Sequence, residues 1–91
     1  MSQPIFILKG TEAAAPTGSG TASNVSSARV VRCVNSGSTA RLVTLEESGG
    51  TDIGTLTVAG GESVLIRKDA TDKIFAAHAE ILLTPVGIYQ G

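Results

Sequence analysis

The stretch RVVRCVNSGSTARLVTLEESGG, Arg29 to Gly50, decides the fold. Residues 28–34, ARVVRCV, form a valine-rich run flanked by turn residues, which is the composition of a strand. NSGS at 35–38 places Asn and Gly where a positive φ costs little. Residues 39–47, TARLVTLEE, read as the next strand. Thr39, Arg41, Val43 and Leu45 alternate there with Ala40, Leu42, Thr44 and Glu46, so neither face is purely polar. Such a mixture suits a strand partly buried on both sides. SGGTD at 48–52 is a further turn. The whole stretch is therefore expected to be a β-hairpin, in which Arg32 and Arg41 either stand near each other on one sheet face and meet Glu46 or Glu47 or, as the first reading, are simply solvated charges.

The same grammar continues outward. IGTLTV (53–58) is a strand, AGGE (59–62) a glycine turn, and SVLIRK (63–68) a strand ending in charge. In DATDKIFAAHAE (69–80), Asp69 can cap a single helical turn over 69–73, with Asp72 three residues on, and a short strand follows at 73–76. EILLTPVGIY (80–89) is the last strand, expected to be interrupted or bent at Pro85. Upstream, PIFIL (4–8) is a first strand with Ile5 and Ile7 on one side and Phe6 and Leu8 on the other, so both of its faces are expected to be covered, and Pro4 suits its start. Strands recurring every ten residues or so, with glycine-rich turns between, predict an all-β chain: a small antiparallel β-sandwich or barrel.

Residues 10–27, GTEAAAPTGSGTASNVSS, differ in kind. Small side chains bury too little apolar area to offset the entropy of ordering them. The segment is read as a flexible arm or long loop, or as an extended arm laid across a neighbouring subunit. The organisation expected is a strand and arm over 1–27 and a β-sandwich domain over 28–91.

Composition narrows the function. Ninety-one residues make one small domain with a thin stability margin, for which assembly with copies is one remedy and a marginal monomer the other reading. The seven basic and eight acidic residues are scattered, with a net charge of −1. No basic stripe of the kind that neutralises phosphates is present, so no nucleic-acid partner is expected. One cysteine precludes an internal disulfide. The run Ile5 to Leu8 is too short for a signal-peptide core or a membrane span, so synthesis in a reducing cytoplasm without membrane association is expected. Asn24-Val25-Ser26 matches a glycosylation acceptor, which means nothing without export.

Reactive residues are few. His78, the only histidine, sits among alanines near Glu80, and a His–Glu pair is conceivable if 77–84 is extended. Read blandly, His78 is exposed or lines a contact. Cys33, in the middle of a valine run, reads as a small core residue and not a nucleophile. Gly18-Ser19-Gly20 lacks the lysine and glycine spacing of a phosphate loop. One His and one Cys fall short of a metal set. The expectation is a chain that is not an enzyme, with no catalytic residue, no cofactor and no metal site.

The motifs VVRCVNSGSTARLVTLEESGGTDIGTLTVAGGESVLIRKDATDKIFAA and ILLTPVGIY carry a resemblance. A strand ends in Val-Asn before a Gly-Ser turn. ARLVTL, an AGGES turn, a TDKIFA segment and a final strand with TPV follow. Over residues 28–89 the chain resembles small β-sandwich structural proteins of the virions of marine tailed bacteriophages. The resemblance implies a multi-copy component of the particle, made in the host cytoplasm and located in the virion. Capsid decoration or cement is the first placement, and neck or tail the second. Implied partners are copies of itself and other virion proteins, the major capsid protein among them. The alternative is a β-sandwich module that contacts a carbohydrate or host receptor, for which Tyr89 is the one candidate aromatic. A small enzyme would have to rest on His78 and Glu80.

Overall fold

The computed structural model describes residues 5–89. Its strands are β1 (Ile5–Leu8), β2 (Ala13–Ala14), β3 (Val30–Asn35), β4 (Arg41–Glu46), β5 (Asp52–Val58), β6 (Ser63–Arg67), β7 (Lys73–Ala76) and β8 (Ile81–Tyr89). They form two antiparallel sheets. One runs β1-β8-β3-β6, with β2 also paired to β8, and the other runs β5-β4-β7. The chain is all-β, as its turn spacing predicts, and its architecture is a small sandwich. A 3₁₀ turn, Ser19–Thr21, is the only helical element among the described residues. Pro4 lies outside them.

The expected hairpin over Arg29–Gly50 does not form. β3 pairs with β6 and β8 in one sheet, whereas β4 pairs with β5 and β7 in the other. Residues 36–40 arch from sheet to sheet, so Arg32 and Arg41 lie in different sheets. Arg32 lies 3.9 Å from Glu12, and Arg41 donates to Glu80 at 3.0 Å, so neither meets Glu46 or Glu47. The reason is burial. β3 turns Val31, Cys33 and Asn35 inward and β4 turns Val43 inward, and facing sheets cover both sets at once. The hairpin is formed by β4 and β5, closed by Glu47 N–H to Thr51 O (2.8 Å) and Gly50 N–H to Glu47 O (2.8 Å).

The core is aliphatic: Val31, Cys33, Val43, Val58, Ile66, Ile74, Ala76, Ile81 and Leu83. Asn35 closes one end of it. Its side chain is fully buried, and its Nδ2 donates to Thr39 O (2.7 Å) and Val58 O (2.9 Å). Its Oδ1 accepts from Gly37 N–H (2.9 Å). Its backbone N–H donates to Glu62 O and its carbonyl accepts from Gly61 N–H, both at 2.9 Å. One asparagine thus ties the β3–β4 arch to the β5–β6 turn. The two turns touch closely, since a Cβ on Gly60 would stand 2.6 Å from the Ser38 carbonyl carbon.

Residues 10–27 lie along the chain's own sandwich. β2 pairs with β8 through Ala13↔Leu83 and Ala14↔Leu82. Ala15 N–H then donates to Ile81 O (2.8 Å), and Pro16 O accepts from Ala76 N–H (2.9 Å). Ser23 exchanges both backbone hydrogen bonds with Ile74, at 3.0 and 2.7 Å. The segment therefore passes from the edge of one sheet to the edge of the other and closes that side of the sandwich. Between its anchors, Ser19 Oγ donates to the buried Glu46 carboxylate at 2.8 Å. Ala15 and Val25 join the core. Small side chains carry little hydrophobic energy, but they let the backbone itself do the pairing.

Val25, Ser26 and Ser27 have φ of 52, 57 and 59°, a left-handed turn without glycine. Ser23 Oγ accepts from Val25 N–H (2.9 Å), Asn24 Oδ1 from Ser27 N–H (3.2 Å) and Val25 O from Ala28 N–H (3.1 Å). These bonds and the buried Val25 side chain hold a conformation that costs roughly 1–2 kcal/mol per residue.

Pro85 does not interrupt β8, which runs unbroken from Ile81 to Tyr89. Its carbonyl accepts from Lys9 N–H (2.9 Å), so its missing N–H faces the same side. There the edge strand bulges: β1 residues pair with β8 in one register and β2 residues in another, two residues apart. Gly10 lies against the proline ring at that bulge, where a Cβ would come within 2.8 Å of Pro85 Cγ. The expected helical turn at 69–73 is a β-turn, with Asp72 N–H to Asp69 O at 3.0 Å and Asp69 N–H to the Asp72 carboxylate at 3.1 Å.

Candidate functional site

The fold engages Cys33 in its core and Glu80 at a joint between segments. Cys33 is fully buried in β3, and burial pushes its thiol up to about 11 from 9.0, so at neutral pH it is a protonated core side chain. Glu80 is a joint between segments. Its carboxylate accepts from Arg41, and its carbonyl accepts from Ser36 N–H (3.0 Å) and Ser36 Oγ (2.7 Å). Its N–H donates to His78 Nδ1 at 3.1 Å. The carboxylate and His78 Nδ1 stand 3.9 Å apart, so the two residues do come together. They do so on an exposed turn, and neither residue lines the cavities of about 660, 210 and 200 Å³ found elsewhere on the molecule. Gly18-Ser19-Gly20 belongs to the arm that holds Glu46. Among the described residues, no group of three or more His, Cys, Asp or Glu is placed to hold a metal ion, and no helix is long and apolar enough to cross a membrane. The Tyr89 side chain lies outside what is described.

What remains is the surface of the strands. Every β1 residue is exposed: Ile5 59%, Phe6 41%, Ile7 43% and Leu8 73%. Ile5 and Ile7 point to one side and Phe6 and Leu8 to the other, and both faces of the strand are uncovered. This is contrary to the covered strand that its apolar run predicts, because among the described residues β1 pairs only with the end of β8 and no element packs over it. β1 pairs with the far end of β8, at Val86 to Tyr89, whereas β3 stops pairing at Val86. β1 and the end of β8 therefore form a two-stranded ribbon reaching past the sandwich. An isolated ribbon of two strands is marginal in water, and four large apolar side chains on it form a contact surface.

The opposite side of the sandwich is open. β5 and β6 are the edge strands of their sheets there. β5 is exposed along its length up to Val58, showing Ile53 and Leu56, and β6 shows Leu65. Between them lies a cavity of about 210 Å³ lined by Val43, Leu45, Gly54, Thr55, Leu56 and Ile66. Unpaired edges offer rows of backbone donors and acceptors to another chain. The apolar run PIFIL and the alternation in IGTLTV make these strands visible in the sequence, but only the topology shows that they are edges.

The chain matches no protein-family model, no curated protein sequence and no solved structure.

Proposed function

We propose that this chain is a non-enzymatic structural component of a phage particle, present in many copies and bound to copies of itself and to other virion proteins, with capsid decoration or cement as its placement. The observation that carries the reading is β1, a free edge strand with four large apolar side chains in the open. Covering a wholly exposed side chain of this kind is worth about 1.5–3 kcal/mol. With roughly half of each exposed, a neighbour that covers all four gains about 3–6 kcal/mol before any main-chain pairing. β-augmentation supplies the rest: the free edge of β1 adds to the open β5 or β6 edge of a neighbouring sandwich, with affinity drawn from backbone hydrogen bonds. The engagement of Cys33 and Glu80 in the fold, and the resemblance of residues 28–89 to virion sandwich proteins, support the same reading.

The test is a Phe6→Ser/Leu8→Ser double variant, compared with the unchanged chain by sedimentation and by binding to purified particles. Loss of assembly and of particle binding with an intact thermal transition is expected. Unchanged assembly and unchanged binding refute the role of β1. Mass spectrometry of purified particles then reads copy number, and a copy number of zero refutes the virion assignment.

A further inference from the structure

Where β3 leaves β8, a notch opens beside the ribbon. Its volume is about 660 Å³, and its lining includes Lys9, Arg29, Arg67, Ser26, Ser27 and Gly87. Three of the seven basic residues of the chain thus meet at one cavity, although they are widely separated in sequence. No acidic residue lines it. The ion pairs among the described residues use Arg32, Arg41 and His78, and none involves these three cations. Lys68 is committed elsewhere: it is buried, with its Nζ donating to Asp69 O (3.1 Å) and Ala70 O (3.4 Å).

The placement follows from the strands. Val30 pairs with Arg67 on one side and with Val86 on the other, so the gap left beyond the start of β3 is bounded by the ends of β6 and β8. Lys9 lies over the ribbon, and Gly87 makes room for it: a Cβ there would stand 3.1 Å from Lys9 Cε. The backbone adds a further element. Pro85 O points to the β1 side. Alternation turns the N–H and C=O of Ile88 to the opposite side, which β3 has vacated. Ala28, the residue that would face Ile88, spends its N–H on Val25 O within the left-handed turn. The notch therefore combines the free backbone edge at Ile88 with a lining that includes Arg29, Arg67, Lys9 and two serines.

We propose that this notch receives an extended acidic segment of a partner protein, which pairs with the free β8 edge at Ile88 through its backbone and places carboxylates on Arg29, Arg67 and Lys9. Like charges around one cavity focus a positive potential that an anionic partner relieves, and guanidinium groups take carboxylates in paired hydrogen bonds. A single small oxyanion would use the charges but leave the strand edge and most of the volume unfilled. The contact is distinct from the apolar β1 surface and extends the assembly reading, which fails or stands on the β1 variant independently.

The experiment uses the full chain and a fluorescent seven-residue peptide of Glu, whose side chains reach both faces of the strand edge, followed by anisotropy. Three comparison ligands are the same peptide with Gln for Glu, a version N-methylated at alternate amides, and inorganic phosphate as competitor. Expected results are saturable binding of the Glu peptide that weakens with salt, and a loss of about tenfold for each of Arg29→Gln and Arg67→Gln. The Gln and N-methylated peptides are expected to bind at least about tenfold more weakly. The thermal transition of each variant serves as the folding control. Where a single variant fails to fold, Lys9→Gln, on the ribbon, replaces it. No binding of the Glu peptide, equal binding of the Gln peptide, or binding indifferent to the substitutions overturns the proposal. Equal binding of the N-methylated peptide with full displacement by phosphate overturns strand pairing and makes the notch a small-anion site.

Discussion

Replacing Asn35 tests the account of how the two sheets are joined. Asn35→Ala removes three side-chain hydrogen bonds and leaves Gly37 N–H, Thr39 O and Val58 O without their partner. An unsatisfied buried group costs about 1–3 kcal/mol. The Val58 bond is wholly buried and the other two partly, which gives about 3–5 kcal/mol in total. That is a large part of the roughly 5–14 kcal/mol available to a chain of this length. At about 4–8 °C per kcal/mol, Tm falls by more than about 10 °C. Asn35→Asp is the sharper probe because its shape is conserved. It keeps the acceptor for Gly37 but turns a carboxylate oxygen toward two carbonyls, with no proton to share. Burial and those carbonyls raise the folded-state pKa of the new carboxyl above its unfolded value. Its neutral form is therefore favoured by folding, so stability is highest below the unfolded pKa and declines as pH rises through the folded one. Urea unfolding at pH 7 and pH 4, with the slope m monitored for two-state behaviour, measures both effects. A loss under about 1 kcal/mol for Asn35→Ala, or an Asn35→Asp variant as stable as the original at pH 7, refutes the reasoning.

Further outcomes follow from the arm and the core. Ser27→Gly relieves a left-handed residue that glycine adopts freely, and urea unfolding should show a gain of about 1 kcal/mol. Ser19→Ala removes the hydroxyl that donates to the buried Glu46 carboxylate, and a loss of about 1–3 kcal/mol is expected, together with faster hydrogen exchange at Ser23. Cys33 titrates at about 11 in the folded chain against 9.0 unexposed to burial, so the unfolded state releases its proton first. Its contribution is complete below pH 9.0 and is lost as pH climbs through about 11. The difference in stability between the original chain and Cys33→Ala, followed from pH 8 upward, should shrink over that window. Alkylation of the thiol at pH 8 should proceed no faster than unfolding.

Strand positions are legible in the sequence because glycine, asparagine and proline punctuate them. The run 73–76 coincides with β7, and 53–58 and 63–68 lie within a residue of β5 and β6. Partnership is not legible. Alternation in ARVVRCV and TARLVTLEE shows which residues face inward, but two strands joined by NSGS can turn back beside each other or cross to a facing sheet. Burial of Asn35 decides for the crossing, and an asparagine next to glycine reads first as a turn residue. The arm misleads for a related reason. Its cohesion comes from backbone bonds to Ile74, Ala76, Ile81 and the β8 ladder, which small side chains permit and composition does not reveal. Lys9, Arg29 and Arg67 are far apart in the chain, so only the end of β8 brings them to one cavity.

The most direct measurement is the mass of the intact, unmodified chain in solution, by native mass spectrometry and sedimentation across a wide dilution series. The account predicts a discrete multimer that dissociates only on dilution, with the apolar β1 residues protected in it. A chain that stays monomeric at every concentration, with β1 amides exchanging freely, contradicts it.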